Sequence, residues 1–300
     1  MTFAKHYTKF LILPAVLSLV ALAALLLWGL RPSIDLSGGS LLQVSYPSGR
    51  PAVEQVQAVT STLGLGGVRV QASGADGYML SARTLSTDEK NTLESALATL
   101  GSVQEQQFSS VGPSIGAETL HKGLFAIVLV SLTILCFIAF AFRQVSEPVA
   151  SWKYGVITIV SLVHDILLPA GIFAALGHFV GAQVDSLFIV ALLTILGVSI
   201  NDKIVVFDRI RENLRLGAKS RDREDFAETV GHSIAQTLTR SINTSLTVVI
   251  MLLVLFFVGP SATQYFALTL LSGMIAGTYS SFFLAAPLLV MWQKKVAKRR

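Results

Sequence analysis

Apolar stretches of about twenty residues recur along the chain, and polar segments separate them. Such runs are expected near 11–30, 122–142, 153–177, 186–208, 238–258 and 265–292. A bilayer core of about 30 Å needs roughly 20 apolar residues wound as helix, so each run is long enough to span one. The interval 31–120 follows a different rhythm. "SLLQVSY" alternates as a strand does, and "PAVEQVQAVTSTLG" is bounded by Pro51 and Gly64, which suit helix ends. "GVRVQAS" and "GYMLSAR" are strand-like about a "GADG" turn. "STDEKNTLESALATLG" opens on a capping pattern, Ser86 or Thr87 before Glu89 or Lys90, and stops at Gly101. "SVQEQQFSSV" is a last strand, and "SGGS" is a turn. The order β-α-β-β-α-β predicts a ferredoxin-like sandwich. The expected fold class is an α-helical polytopic membrane protein with six transmembrane helices and a small α+β extracytoplasmic domain.

Composition agrees with that class. Hydrophobic residues make up 52% of the chain and charged residues 14%, well below the roughly 25% usual in soluble domains. The net charge of +5 does not point to nucleic acid, because the basic residues flank apolar spans and share no polar face. The single cysteine, Cys136, permits no intrachain disulfide and is expected to be a small apolar filler. The apolar run from Phe10 to Leu30 exceeds a signal-peptide core and no A-x-A site closes it, so it reads as a retained anchor.

Lys and Arg set the expected orientation. Lys5 and Lys9 precede the first span, and Arg143 and Lys153 lie between the second and third. Arg209, Arg211, Arg215, Lys219, Arg221 and Arg223 lie between the fourth and fifth, and "QKKVAKRR" ends the chain. Six spans put all of these on one side, which places both termini in the cytoplasm. The expected division is 1–30, first helix; 31–120, external domain; 121–292, five-helix bundle with a cytoplasmic loop at 209–232; 293–300, basic tail. The cationic side of "DRIRENLRLGAKSRDREDF" could meet lipid headgroups, with Ile210 and Leu214 spaced i,i+4.

Ionisable residues inside such spans cost at least about 2.5–3.5 kcal/mol near the bilayer centre, so each is a candidate for function. Asp202 and Lys203 interrupt the fourth span in "GVSINDKIVVF". Either they neutralise each other while Lys203 reaches the cytoplasmic surface, or Asp202 finds a partner elsewhere. Arg240, in "LTRSINTSLT", is that partner if the fifth helix begins near His232, because antiparallel neighbours would then carry the two to similar depth. Asn201, Ser241, Asn243, Thr244 and Ser245 supply hydrogen-bonding groups nearby. His164 and Asp165, in "SLVHDILLPAG", form a third candidate, either a satisfied structural pair or part of a proton path. Pro169 and Gly171 beyond them could mark a hinge. No Walker string argues for ATP hydrolysis, no HExxH string argues for zinc, and no nucleophile-base-orienter set stands in 31–120. An enzyme, a cofactor and a metal are therefore not expected.

Five strings in order, "IDLSGGSLLQV", "SSVGPSIGAE", "SLVHDILL", "SINDKIVVFDRIRENLR" and "TRSINTSLT", resemble the SecD/SecF family of bacterial protein-export subunits, within the wider resistance-nodulation-division group. The resemblance spans nearly the whole chain. It implies the smaller subunit of a SecD-containing complex that associates with the SecYEG channel. There it would use the proton gradient to promote preprotein translocation across the cytoplasmic membrane. It also implies proton-coupling roles for Asp202 and Arg240. Lys203 departs from the Thr usual after "IND", and could bias Asp202 towards its charged form or compete with Arg240 for it. The alternative is a proton-coupled small-molecule efflux subunit of the same group.

Overall fold

A computed structural model describes residues 2–142, 149–217 and 225–297. Arg143, Lys219, Arg221, Arg223 and the last three residues of the tail, invoked above for orientation, lie outside them. In chain order the elements are α1 (Thr2–Phe10), α2 (Ile12–Trp28), α3 (Ile34–Ser37), β1 (Gly39–Ser45), α4 (Val53–Ser61), β2 (Arg69–Ser73) and β3 (Gly77–Ala82). There follow α5 (Thr87–Ala98), β4 (Gln104–Val111), α6 (Pro113–Ala141), α7 (Ser151–Phe179), α8 (Ser186–Gly217) and α9 (Phe226–Val258). The chain closes with α10 (Ser261–Ser280), a π-helical turn (Ser281–Ala285) and α11 (Ala286–Ala297). Contacts divide it into two compact units. One comprises Met1–Leu30, Phe125–Phe179 and Leu187–Arg300; the other comprises Arg31–Leu124 and Val180–Ser186.

The helical unit is a multi-pass membrane bundle. Six helices among the described residues are long and apolar enough to cross a membrane, with α10, the π turn and α11 counting as one from Thr263 to Lys295. Several helices outrun the apolar runs that announced them. α8 continues past Arg209 to Gly217, because "RIRENLRL" contains good helix formers and Arg209 pairs with Glu212 at 2.6 Å, one turn on. Ile210 is fully buried and Leu214 packs against the same core, so the apolar side of this segment serves the bundle rather than lipid. α9 begins at Phe226, earlier than the expected His232. Cys136 corrects another expectation: it is exposed on α6 instead of packed. Neighbours such as Leu132, Phe137 and Phe140 are exposed too, since little of α6 is covered by the chain itself.

The bundle core gathers Tyr154 and Ile157 of α7, Val206 and Phe207 of α8, Val230 of α9, and Leu289 and Val290 of α11. Where helices approach most closely, small residues meet. A Cβ added at Gly171 would lie 2.5 Å from the Cα of Ala21, and one at Gly277 would lie 2.6 Å from Ser199 Oγ. Glycine at these points lets backbones come close enough for dispersion contact, the usual device where hydrocarbon surrounds the helices.

The second unit carries a four-stranded sheet in the order β2-β3-β1-β4, every neighbouring pair antiparallel. Leu42 faces Leu80 and Val44 faces Tyr78 across β1 and β3. With period 2 these side chains share one face, where Val56 of α4 and Leu93 and Leu97 of α5 cover them. The "SGGS" expected as a turn is instead a helix-to-strand junction: Ser37 ends α3, Gly39 opens β1, and Gly38 and Gly39 take φ of 76° and 132°, a region open mainly to glycine. The loop Val180–Ser186 joins this unit through a bridge between Val184 and Pro32 and a bond from Gln71 Nε2 to the Val180 carbonyl at 3.1 Å.

α5 is capped as its sequence announces. Ser86 Oγ accepts from the Glu89 amide at 3.3 Å, and the Glu89 carboxylate accepts from the Ser86 amide at 2.9 Å. Arg83 also binds that carboxylate, and its guanidinium, helped by the Ser86 amide, holds Glu89 down at about 2, below the usual 4.5. A folded value below the unfolded one stabilises the unit above about pH 4.5, and the gain fades as pH falls through about 2. We expect Glu89→Gln to abolish that acid-range loss of protection at the start of α5. Hydrogen exchange of the full chain in detergent, read at the Ser86 and Glu89 amides between pH 5 and pH 2 (about the range this linkage spans), checks it.

Candidate functional site: two polar clusters on one membrane helix

Asp202 and Lys203 are neighbours on α8, and successive residues on a helix point about 100° apart. They therefore serve different surroundings.

Lys203 points into the bundle and is fully buried, as is Asp165 of α7. Its Nζ donates to Asp165 Oδ2 at 2.6 Å and to Ser199 Oγ at 2.6 Å, with Ser280 Oγ at 3.2 Å and the Ser199 carbonyl at 3.5 Å. Ser199 Oγ also donates to Asp165 Oδ2, and Ser161 Oγ lies 3.3 Å from Ser280 Oγ. Asp165 Oδ1 is buried without a hydrogen-bond partner. So Lys203 neither reaches the cytoplasmic surface nor pairs with Asp202, two of the expectations its sequence position allowed. Its side chain is wholly enclosed, and the Asp165 carboxylate of the neighbouring α7 is within contact. Asp165 in turn pairs with Lys203 rather than with its neighbour His164.

His164 turns the other way round α7. Ser18 Oγ of α2 lies 2.6 Å from its Nδ1, and the Tyr279 hydroxyl of α10 contacts its Nε2. A neutral imidazole has one donor and one acceptor nitrogen, so the two hydroxyls take complementary roles. Pro169 stays inside a continuous α7, and Gly171 serves as the close-packing point against α2.

Asp202 is half-buried and faces α9 and α10. Ser245 Oγ lies 3.4 Å from its Oδ2, and the hydroxyls of Ser241 and Thr278 complete the surround. Thr278 Oγ1 is 2.7 Å from Ser245 Oγ. Arg240 is not brought to Asp202. Among the described residues no ion pair joins them, and Arg240 is exposed. The register explains this. Arg209 bonds Gln236 at 2.6 Å and Asn213 bonds Ser233 at 2.8 Å, so α8 and α9 run antiparallel with Asp202 level with Ser245. Arg240 then falls about one turn away, and its neighbour Ser241 occupies the face turned inward. Asn201 and Asn243 are likewise exposed.

Around Lys203, His164 and Asp202 the sequence points to Ser241 and Ser245 but to none of the other hydroxyls as partners. Two of them carry a readable signal: Ser161 and Ser199 stand one helical turn before Asp165 and Lys203, on the same faces. Ser18, Thr278, Tyr279 and Ser280 carry none, because only the packing brings them near. Among the described residues no group of three or more His, Cys, Asp or Glu side chains is disposed to hold a metal ion.

These features define a class: a polytopic membrane protein whose charged side chains are buried between helices of the bundle, joined in sequence to a separate sheet-bearing unit. A family described as protein export membrane protein SecD/SecF, C-terminal, matches residues 92–295. The chain belongs to the SecD/SecF family. The protein translocase subunit SecF of Thermobaculum terrenum is 43% identical over 286 residues, covering 90% of this chain and 87% of that one. The SecF subunit of Anaerolinea thermophila is 38% identical over 293 residues, covering 96% and 92%. The crystal structure of SecDF from Thermus thermophilus, described as a translocon-associated membrane protein, matches with a TM-score of 0.84 at 31% identity over 98% of this chain. The chain spans 39% of that SecDF polypeptide, while it spans most of each SecF subunit.

Proposed function

We infer that the chain is the SecF-type subunit of the bacterial Sec protein-export machinery. With SecD it uses the proton gradient to promote preprotein translocation across the cytoplasmic membrane. The observation that carries the mechanism is Asp202: a half-buried carboxylate in an apolar span, lined by hydroxyls and unpaired with any cation among the described residues. A proton arriving there removes a charge that the surrounding span disfavours, and one elementary charge moved through 100 mV supplies about 2.3 kcal/mol, enough to bias two helix arrangements more than tenfold. No covalent step is needed.

Arg240 acts from the outer face of α9. It shares that exposed stretch with Asn243, Thr244 and Thr247, and a charged side chain facing hydrocarbon is costly. The stretch therefore addresses a protein, and SecD is the partner we assign to it. His164 and Asp165 contribute to the proton path behind Asp202, and Lys203, Asn201 and Asn243 modulate it. The SecYEG channel and the translocating preprotein are the further partners, and membrane lipid meets the basic flanks.

Both termini are cytoplasmic on this reading. Residues 31–120 form the extracytoplasmic domain, 121–292 the bundle with its loop at 209–232, and 293–300 the tail. The β-α-β-β-α-β order and the two helices over one face of the sheet support a ferredoxin-like sandwich.

The test is preprotein export into inverted vesicles with Asp202→Asn and Arg240→Met. Each is expected to assemble normally and lose the proton-dependent stimulation. Full stimulation in both variants overturns the mechanism.

A further inference from the structure

The surroundings of Lys203 Nζ have the make-up of an ion-binding pocket. Oxygens from three separate elements converge on one point: a carboxylate from α7, a hydroxyl and a more distant carbonyl from α8, and a hydroxyl from the end of α10. All the side chains involved are buried. Donors of this kind, carboxylate, hydroxyl and carbonyl oxygen, suit hard cations. A fourth side-chain oxygen, Asp165 Oδ1, is enclosed in the same place with no partner.

The formal charge is also that of a monovalent site. One carboxylate faces several neutral oxygens, and one ammonium balances it. The other titratable groups nearby are His164 on α7, Asp202 on α8 and Tyr279 on α10. His164 and Tyr279 contact each other, and Asp202 bonds Ser245 of α9, so none of these enters the shell around Nζ.

We propose that this pocket is a monovalent-cation site which the chain fills with its own ammonium. Lys203 thereby keeps inorganic cations out and leaves the proton as the exchangeable cation of the bundle. Lys203 is then an ion-selectivity residue, and a chain without it at this position has a pocket open to an alkali cation. The claim concerns binding and does not depend on the export reading; its readout is separate from export activity.

The test uses the purified full chain in detergent, with thermal unfolding followed in sodium, lithium, potassium or choline chloride at matched ionic strength. The wild type is expected to unfold at the same midpoint in all four. Lys203→Ala is expected to be less stable in choline. It should recover with sodium or lithium in a saturable way, since a ligand that binds only the folded state raises the midpoint with its concentration. Lys203→Met, whose side chain fills the space, and Lys203→Ala combined with Asp165→Asn, which removes the charge, are both expected to show no cation dependence.

Two results overturn the proposal. One is a Lys203→Ala midpoint that rises with acid yet is identical in sodium, lithium, potassium and choline, which means the carboxylate takes a proton and the pocket holds no metal ion. The other is a wild type that already responds to sodium as the variant does. Should Lys203→Ala not survive extraction, Lys203→Ser is read in native membranes by limited proteolysis across the same salts. Sodium-specific protection there supports the site, and equal cleavage in every salt removes it.

Discussion

Asp165→Asn is expected to leave the bundle badly destabilised. The substitution keeps shape and removes charge, so Lys203 is left as an ammonium without a counter-charge, fully enclosed among α7, α8 and α10. Removing one partner of a buried ion pair costs about 3–5 kcal/mol, because the remaining charge stays desolvated. That is a large share of the about 5–15 kcal/mol that separates folded from unfolded chains in general. The expected measurements are a sharply lowered thermal midpoint in detergent and reduced accumulation in membranes. Combining Asp165→Asn with Lys203→Met removes both charges and is expected to recover most of the loss. A single variant that unfolds at the wild-type midpoint contradicts the pair as drawn; so does a double variant no better than the single.

Gly171→Val is the second large effect expected. A first side-chain carbon at this position already falls 2.5 Å from Ala21 Cα, 2.6 Å from its Cβ and 2.9 Å from its carbonyl oxygen. Two of those atoms are backbone, so no side chain can swing aside, and α2 and α7 must separate. Overpacking of this sort costs about 1–3 kcal/mol and sometimes more. The consequence extends beyond stability, since Ser18 of α2 and His164 of α7 meet at the same helix pair. Disulfide trapping between cysteines placed on the two helices, compared with and without the substitution, reads the separation directly; undiminished cross-linking refutes it.

How much of this could be read from the residues alone differs between the two units. In the polar unit nearly every element announced itself locally. Period-2 alternation in "SLLQV", the Ser86–Glu89 cap and the glycines of "SGGS" each act within a few residues, and the strands and helices fall where these signals stand. The six spans were legible for the same reason: length and hydropathy are local properties. Their ends were less so. Polar helix formers carried α8 and α9 beyond the apolar limits, and the π turn divides the last span after Ser280. Partner choice was the least legible. Asp202 and Arg240 lie on neighbouring spans and carry opposite charge, yet a one-turn offset and a 100° turn decide which faces meet. Neither is encoded near either residue. Lys203 stands out of place in its apolar run, but Asp165 as its partner follows only from how α7 packs on α8.

The adjacency of Asp202 and Lys203 has a mechanical corollary. They are rigidly geared through one backbone, one carboxylate on the side of α9 and one ammonium gripped from the side of α7. Rotation of α8 about its axis that moves the acid must also strain the grip on the amine. A turn of α8 therefore displaces both polar clusters together, never one alone.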